Sequence, residues 1–343
     1  MTKKIKLFIF SCFFLSIGLC FSLQAIFWEM HNIAWMTVVV SFVLIPILDS
    51  VIGRGNTPSL SCFGSFSLWV PRIYCIVHFI IIIFYLYKAN TYNLAEIPIL
   101  SLALGTVSGA FGITVAHELM HKKNQIDKGL SKLILCSVCY GHFFIEHLRG
   151  HHSKVATVDD FATAKKNQHL YSFLVQSILG SFAHSYKLEK LRLSSKKLSQ
   201  FTIKNNVVLL HFTSVFFMLT SFYFFGVNGL ILFLLQSVVA VILLETTNYI
   251  EHYGLLRKKN CKNGYDPVDV IHSWNSNHLV SNWILLHLPW HSDHHKNMGK
   301  SFSELRSIKV APQLPFGYPA MIVLAFFPFI FLSLMNNILD RLR

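Results

Sequence analysis

Long apolar runs alternate with short polar connections along this chain of 343 residues. Six of the runs are near the roughly 20 residues that an α-helix needs to cross a bilayer. The pattern therefore predicts six membrane-spanning helices, at about 7–28, 33–53, 69–88, 97–116, 206–225 and 229–248. The first run follows Lys3, Lys4 and Lys6, as in a signal peptide, but it is longer than a signal peptide's apolar region and lacks a clear small-x-small cleavage site.

Three further apolar segments are predicted not to cross. Segments 129–145 and 168–185 are too short for a full crossing, so we expect re-entrant or interfacial helices there. Segment 316–334 is broken by Pro315, Pro319 and Pro328, which favours a helical hairpin lying at the surface.

Composition agrees with this pattern. The mean hydropathy is +0.49, with 53% hydrophobic and 13% charged residues, whereas soluble domains carry roughly a quarter charged residues. The predicted fold class is an all-α integral membrane protein, a six-helix bundle formed by one membrane domain over residues 1–343.

The net charge of +14 indicates how the bundle is oriented. Lys and Arg are concentrated between His117 and Lys204, while the connections 29–32, 89–96 and 226–228 contain neither. Because cytoplasmic loops carry the excess of Lys and Arg, we expect both termini and a polar cap, 117–205 and 249–343, in the cytoplasm. The basic residues flank apolar spans instead of forming a basic domain, which argues against nucleic acid as a partner.

Seven cysteines form no recognisable framework. Cys136 and Cys139 make a lone C-x-x-C inside an apolar run, and no second such pair exists to complete a rubredoxin or zinc site. We therefore expect both to be packing residues.

Histidine is the distinctive residue of the predicted cap. Nine of the 18 histidines lie in three clusters and one Glu-His pair: His117, His121, His147, His151, His152, His252, His291, His294 and His295. On an α-helix His147 and His151 share a face and could bind one cation together, with His152 about 100° further round.

Nine imidazoles are too many for one ion and suit two metals, each short of full coordination. A structural zinc site closes with four ligands, usually including cysteine, whereas neutral imidazole also suits iron and copper. An acidic residue adjoins a histidine in each cluster, and we expect these four to hydrogen-bond the ligands or occasionally bind metal: Glu118, Glu146, Glu251 and Asp293.

The other nine histidines are expected to have hydrogen-bonded packing roles: His31, His78, His142, His169, His184, His211, His272, His278 and His287. His272 and His278, which flank Ser273-Trp274-Asn275-Ser276-Asn277, are the two we expect beside the metal ligands instead.

The order of these motifs, over about residues 35–320, resembles the membrane-bound non-haem diiron alkane monooxygenases, relatives of the membrane fatty acid desaturases and hydroxylases. The resemblance rests on His117-Glu-Leu-Met-His121, Glu146-His-Leu-Arg-Gly-His-His152, Asn248-Tyr-Ile-Glu-His-Tyr-Gly254, His272–His278 and His291-Ser-Asp-His-His295, together with Ile45-Pro-Ile-Leu-Asp49. Shorter histidine motifs alone also fit desaturases, but Asn248–Gly254 favours the hydroxylases.

The resemblance implies a cytoplasmic cap in which the nine histidines hold two irons. It also implies terminal hydroxylation of medium- or long-chain n-alkanes drawn from the bilayer, using O2 and electrons from reduced rubredoxin, itself served by a rubredoxin reductase. The expected location is the bacterial inner membrane, with the active site facing the cytoplasm. No catalytic residue beyond the iron ligands is expected.

Two other functions remain open from sequence. One is a related hydroxylase or desaturase acting on an aromatic methyl group or a fatty acyl chain. The other is a metal transporter, although transporters place ionisable residues at membrane mid-depth and these histidines lie beyond the ends of the predicted fourth and sixth spans.

Ser41 is the predicted residue of the substrate tunnel. In the resembled family, a bulky residue about one turn before the Ile45–Asp49 motif is thought to stop the alkyl tail, and Ser41 occupies that position here. A serine would leave the tunnel open to longer chains. The alternative is that Ser41 is a small residue for helix packing.

Overall fold

The computed structural model describes residues 34–55, 67–260 and 264–342. The predicted span 7–28 lies outside these residues. Within them the chain is all-helical, with isolated bridges but no β-strand, as the fold class predicts. Four of the described helices are long and apolar enough to cross a membrane.

These four helices are α1 (Ala34–Ile52), α2 (Trp69–Thr91, ending in a 3₁₀ turn), α3 (Ile97–Met120) and α7 (Asn206–His252). Predicted spans 206–225 and 229–248 both lie in α7, whose backbone leaves helical geometry at Gly226, with φ 65° and ψ −162°. This conformation is open essentially to glycine alone.

The segments predicted to form the cap contain the remaining α-helices of the described chain. They are α4 (Gln125–Ser137), α5 (143–154), α6 (Leu170–Ser195), α8 (Leu279–Ile284), α9 (His291–Lys296), α10 (Tyr318–Ala325) and α11 (Pro328–Arg341). The predicted segments 129–145 and 168–185 fall in α4–α5 and in α6, and α10 and α11 form two consecutive helices in the predicted hairpin. Pro328 begins the second of these helices, where its missing N–H is not needed.

Close packing joins α3 to the second arm of α7. A Cβ at Gly105 would lie 2.5 Å from the Val239 Cβ, so only glycine allows this approach. In α4, Ser131 Oγ donates to Ala116 O of α3 at 2.7 Å, and Asp127 holds Arg72 of α2 at 2.7 and 2.9 Å. Cys136 is buried here as a free thiol and Cys139 is partly buried, consistent with packing roles.

Three of the described helices contain π-helical turns: Val40–Leu44 in α1, Ser108–Gly112 in α3 and Glu146–His151 in α5. In each turn a backbone N–H bonds the carbonyl five residues earlier, as from Ile45 to Val40 and from Ile113 to Ser108. Such turns are rare and are frequently found at functional sites. All three contribute residues to the site described next.

Candidate metal centre

The structure brings all nine clustered histidines together in two groups, each with its ligand nitrogens within 4.8 Å of one another. The first group comprises His117, His121, His147, His152 and His294. The second comprises His151, His252, His291 and His295. Each group draws residues from three separate parts of the chain.

The expected pairing of His147 with His151 is wrong. The structure places His147 with His152 in the first group and His151 in the second. The cause is the π-helical turn at Glu146–His151, in which the His152 N–H bonds the His147 carbonyl. This wider turn aligns residues five apart and separates those four apart, so adjacent His151 and His152 serve different groups.

Within each group the imidazoles approach through their Nε2 atoms. In the first, His147 Nε2 lies 3.2 Å from His121 Nε2 and 3.0 Å from His152 Nε2. In the second, His295 Nε2 lies 2.8 Å from His291 Nε2 and 3.2 Å from His151 Nε2. The nitrogens thus converge on two points.

Burial favours the neutral form of six of these rings. The pKa values of His121, His147 and His152 are lowered well below the usual value, first by burial and then by the neighbouring histidines. The same causes lower the pKa values of His291, His294 and His295. Neutral imidazole is the form that binds metal.

The donor set fits two metal ions. A neutral imidazole has one N–H, so a run of Nε2 atoms facing one another leaves lone pairs without donors. His117 Nε2 is buried and has no hydrogen-bond partner among the described residues. Cations at the two convergence points would satisfy these lone pairs, with up to five imidazoles for one ion and four for the other.

Four acidic residues were expected beside the ligands, and of these Glu251 contacts a ligand histidine. Its Oε2 lies 3.2 Å from His291 Nε2, and Tyr318 donates to its Oε1 at 3.0 Å. Glu251 is therefore close enough to the second group to support or join it.

The other three acidic residues bond to partners outside the nine clustered histidines. Glu118 pairs with Lys122 at 2.6 Å and accepts from Ser301, and Asp293 pairs with Lys300 at 2.8 Å. Glu146 lies 2.8 Å from His184 Nδ1, and burial raises the pKa of its carboxyl to about 8.

Asp160 contacts a clustered histidine, although the sequence pattern did not indicate it as a residue of the site. Its Oδ2 lies 3.0 Å from His151 Nδ1 and accepts from the Thr163 hydroxyl at 2.6 Å. Burial opposes its ionisation, but His151, Thr163 and the Ala162 N–H together lower its pKa, which favours the carboxylate. A charged acceptor on Nδ1 directs the Nε2 lone pair of His151 towards the second group.

His272 and His278, which the sequence predicts beside the metal ligands, make no direct contact with the nine clustered histidines. His272 Nδ1 accepts from the Asp269 N–H at 2.9 Å, and His278 Nδ1 lies 2.9 Å from Ser276 Oγ. Their neighbour Ser273 does approach the site, with its Oγ 3.4 Å from His252 Nδ1. The segment thus packs beside the second group.

A cavity extends from the metal groups into the helical bundle. Its empty space amounts to about 830 Å³, which includes space open to the surroundings. His117, His147 and His291 line it beside the metal groups, and residues from the π-helical turns of α1 and α3 line it further away, among them Ser41, Phe42, Gly109 and Phe111.

Two of the hydroxyl groups that line this cavity are used within their own helices. Thr114 Oγ1 donates to Ala110 O at 2.7 Å and Thr247 Oγ1 to Leu243 O at 2.9 Å. Most of the remaining lining is apolar, including Ile113, Phe143, Leu244, Leu285 and Ile322. The cavity therefore suits an apolar ligand.

Comparison with known proteins agrees with this site. The fatty acid desaturase family matches residues 94–325, which hold all nine histidines. The chain is 38% identical to alkane 1-monooxygenase 2 of Pseudomonas aeruginosa, over 88% of this chain and 83% of the relative. It is 36% identical to alkane 1-monooxygenase 2 of Alcanivorax borkumensis, over 88% and 82%, and 37% identical to alkane 1-monooxygenase 1 of the same organism, over 88% and 76%.

Four apolar helices of membrane-spanning length and these relatives together indicate an integral membrane protein. The match to the family covers more than half of the chain, and it includes both histidine groups and part of the cavity. The chain belongs to the fatty acid desaturase family, in the group that contains these alkane 1-monooxygenases.

Proposed function

We propose that this protein is an alkane 1-monooxygenase, which hydroxylates the terminal carbon of medium- or long-chain n-alkanes at a histidine-bound diiron centre. The observation that carries the proposal is the apolar cavity lined at one end by His117, His147 and His291. In the overall reaction one atom of O2 enters a C–H bond and the other leaves as water, with two electrons and two protons consumed.

The two histidine groups would hold one iron each, and the pair of irons would supply the activation of O2. The chain itself binds and orients the substrate. With no polar group on an alkane, shape must select the carbon. A cavity that three imidazoles line beside the metal groups favours a chain whose end lies next to them. The apolar lining also limits water beside the reacting carbon.

The length of the cavity is consistent with such a substrate. Gly109 lies two turns before His117 on α3, a distance of about 12 Å along the axis by the ordinary helical rise. Leu243 lies at a similar distance before Glu251 on α7. These spacings suit an alkyl chain that lies along α3 with one end at the metal groups.

We also propose the six-span arrangement with a cytoplasmic site in the bacterial inner membrane. Two crossings are assigned to α7, because its 47 residues would extend about 70 Å as one helix, against a hydrocarbon core of roughly 30 Å. The break at Gly226 divides it where the sequence has no Lys or Arg. The basic cap would then face the cytoplasm.

Electrons are proposed to come from reduced rubredoxin. The sequence has no second C-x-x-C pair with which to bind a rubredoxin-type iron, so the donor would be a separate protein. The cap is rich in lysine and suits an acidic donor.

The test is metal content together with product position. Purified protein is expected to contain about two irons per chain and to convert n-alkanes to 1-alkanols. Active protein with one zinc and no iron would exclude the diiron proposal. Products confined to aromatic methyl oxidation or acyl desaturation would replace alkane hydroxylation by the alternative.

The two-group geometry gives a sharper form of the metal test. His294→Ala and His151→Ala remove a nitrogen from the first and second groups respectively. Each variant is expected to lose about one iron and nearly all turnover while still inserting in the membrane, because the spans fold without metal. His169→Ala, outside both groups, is the control. Full iron content in either group variant would contradict that residue's assignment as a ligand.

A further inference from the structure

Helix α6 has two faces of opposite character. Its buried face, with Phe173, Ser177, Ser181 and Ser185, packs against the protein. On the other face large side chains recur every three or four residues and are 36–64% exposed: Tyr171, Val175, Leu179, Phe182 and Tyr186. This is one continuous apolar stripe on the outside of the protein.

The loop that follows α6 is still more exposed. Phe201 is 89% exposed and Ile203 is 92% exposed. The chain then enters α7 at Asn206, where Leu209 and Phe212 are also exposed on a helix apolar enough to cross a membrane. The loop therefore lies directly before that helix, where a membrane surface is expected.

Five exposed lysines lie close to these apolar residues in the sequence: Lys187, Lys190, Lys196, Lys197 and Lys204. None of the five pairs with a carboxylate in the described part of the chain. Apolar side chains that enter the boundary of a bilayer, bordered by cations that reach lipid phosphates, are typical of a surface that binds anionic lipid.

We propose that the outer face of α6 and the loop 196–204 form a binding surface for anionic phospholipid of the membrane in which the helices sit. Continuity with the exposed start of α7 favours lipid over a soluble partner. The unpaired lysines favour an anionic headgroup over a zwitterionic one. This inference does not depend on the proposed reaction.

The inner side of α6 connects this surface to the metal-bearing segment. Glu189 is fully buried and accepts from Arg149 at 3.0 Å, from Arg192 at 2.6 Å and from the Asn206 N–H at 2.6 Å. Arg149 lies inside the π-helical turn that presents His147 and His151. Helix α6 thus also contacts the side chain of a residue in that turn.

The experiment titrates delipidated, detergent-solubilised protein with phosphatidylglycerol and, separately, with phosphatidylcholine, and counts bound lipids by native mass spectrometry. Tighter binding of phosphatidylglycerol is expected. Replacing Lys190, Lys196 and Lys197 by Gln should weaken that binding roughly a hundredfold, since each lysine near the surface contributes about fivefold. Rising salt should weaken it too.

The matched control replaces three exposed lysines elsewhere on the cap, Lys123, Lys258 and Lys259, by Gln. It is expected to bind phosphatidylglycerol like the parent protein. Equal binding of the two lipids, full affinity in the Lys190, Lys196 and Lys197 variant, or an equal loss in the control would each overturn the proposal.

A second measurement tests the loop directly. In nanodiscs of phosphatidylglycerol, the amides of 196–204 are expected to exchange hydrogen more slowly than in nanodiscs of phosphatidylcholine. Phe201→Asp, which places a charge at a highly exposed apolar position of the loop, should remove the difference. Identical exchange in both lipids would argue against the proposed contact.

Discussion

At the scale of single residues, Asp160 shows how a carboxylate orients a metal ligand. It is held by Thr163 and the Ala162 N–H, and it faces His151 Nδ1 at 3.0 Å. An acceptor on the outer nitrogen fixes the ring tautomer and the ring orientation together, so that Nε2 is left to bind. This places Asp160 among the residues that position the second group.

We predict that Asp160→Asn lowers iron affinity or turnover by about 10–100-fold. The amide can still accept through its oxygen, but it has no charge with which to favour the Nδ1–H tautomer. Iron retained after a chelator challenge is the measurement. Asp159→Asn is the control because Asp159 is the exposed neighbour. Equal iron retention in both variants and the parent would refute this role.

Residue spacing predicted the nine histidines but not the orientation of the acidic residues beside them. Neighbours on a helix diverge by about 100°, so a carboxylate next to a ligand usually points away from the ion. Glu118 and Asp293 accordingly pair with Lys122 and Lys300. Asp160, nine residues after His151 in sequence, reaches the ligand because the chain folds back beyond α5.

At the scale of elements, the three π-helical turns account for what a regular helical period could not predict. An interval of four residues placed His147 and His151 on one face, but the π-helical turn aligns His147 with His152 instead. Residues of the π-helical turns in α1 and α3 line the cavity. The hydropathy pattern detects a helix but not such a turn, because a π-helical turn does not change the apolar character of the segment.

We predict that Ser41→Trp reduces oxidation of long alkanes more than that of short ones. Ser41 is 9% exposed, lies in the π-helical turn of α1 and lines the cavity, so a large side chain there would shorten the space for the tail. The measurement is relative turnover over a series of chain lengths.

Val43→Trp is the matched control for this change, since Val43 lies in the same turn and is 51% exposed on its outer side. It is expected to leave chain-length preference unchanged. A uniform loss of turnover across chain lengths in Ser41→Trp would mean that Ser41 serves helix packing and not the tunnel.

The break in α7 supports a second prediction about an element. A Cβ at Gly226 would have space, with Asn90 Oδ1 at 3.8 Å as its nearest neighbour, but the backbone conformation disfavours any side chain. Gly226→Ala should therefore lower the free energy of unfolding by roughly 1–3 kcal/mol, through backbone strain alone.

Gly129→Ala is the opposite case. Gly129 lies within helix α4 and a Cβ there would contact nothing within 4 Å. Alanine favours a helix interior over glycine, so this variant should gain up to about 1 kcal/mol. Thermal unfolding of both variants in one detergent is the measurement. A Gly226 variant as stable as the parent would show that α7 tolerates an ordinary helical residue at its break.

At the scale of the whole molecule, the length of apolar runs predicted helix positions well and helix ends less well. The predicted span 69–88 matches the α-helix Trp69–Lys88, while the span predicted to end at 116 continues to Met120. The ends depend on tertiary contacts, as where Glu118 accepts from the Phe302 N–H 184 residues later in the chain. Such contacts have no signal in local hydropathy.

The distribution of charge over the whole molecule supports the last prediction, which concerns electron delivery. The net charge is +14, and exposed lysines such as Lys123, Lys258 and Lys259 lie on the cap outside the membrane-spanning helices. A separate acidic donor would be attracted to such a surface, and attraction between exposed charges is screened over about 10 Å at 0.1 M salt.

Turnover at limiting rubredoxin is therefore expected to fall steeply as sodium chloride rises, while the initial rate at saturating donor changes little. Screening slows the encounter of the two proteins and not the later steps. Reduction of the protein by a small uncharged reductant is the control, and it should be insensitive to salt. A donor-limited rate indifferent to ionic strength would contradict electrostatic docking, even if alkane hydroxylation itself were established.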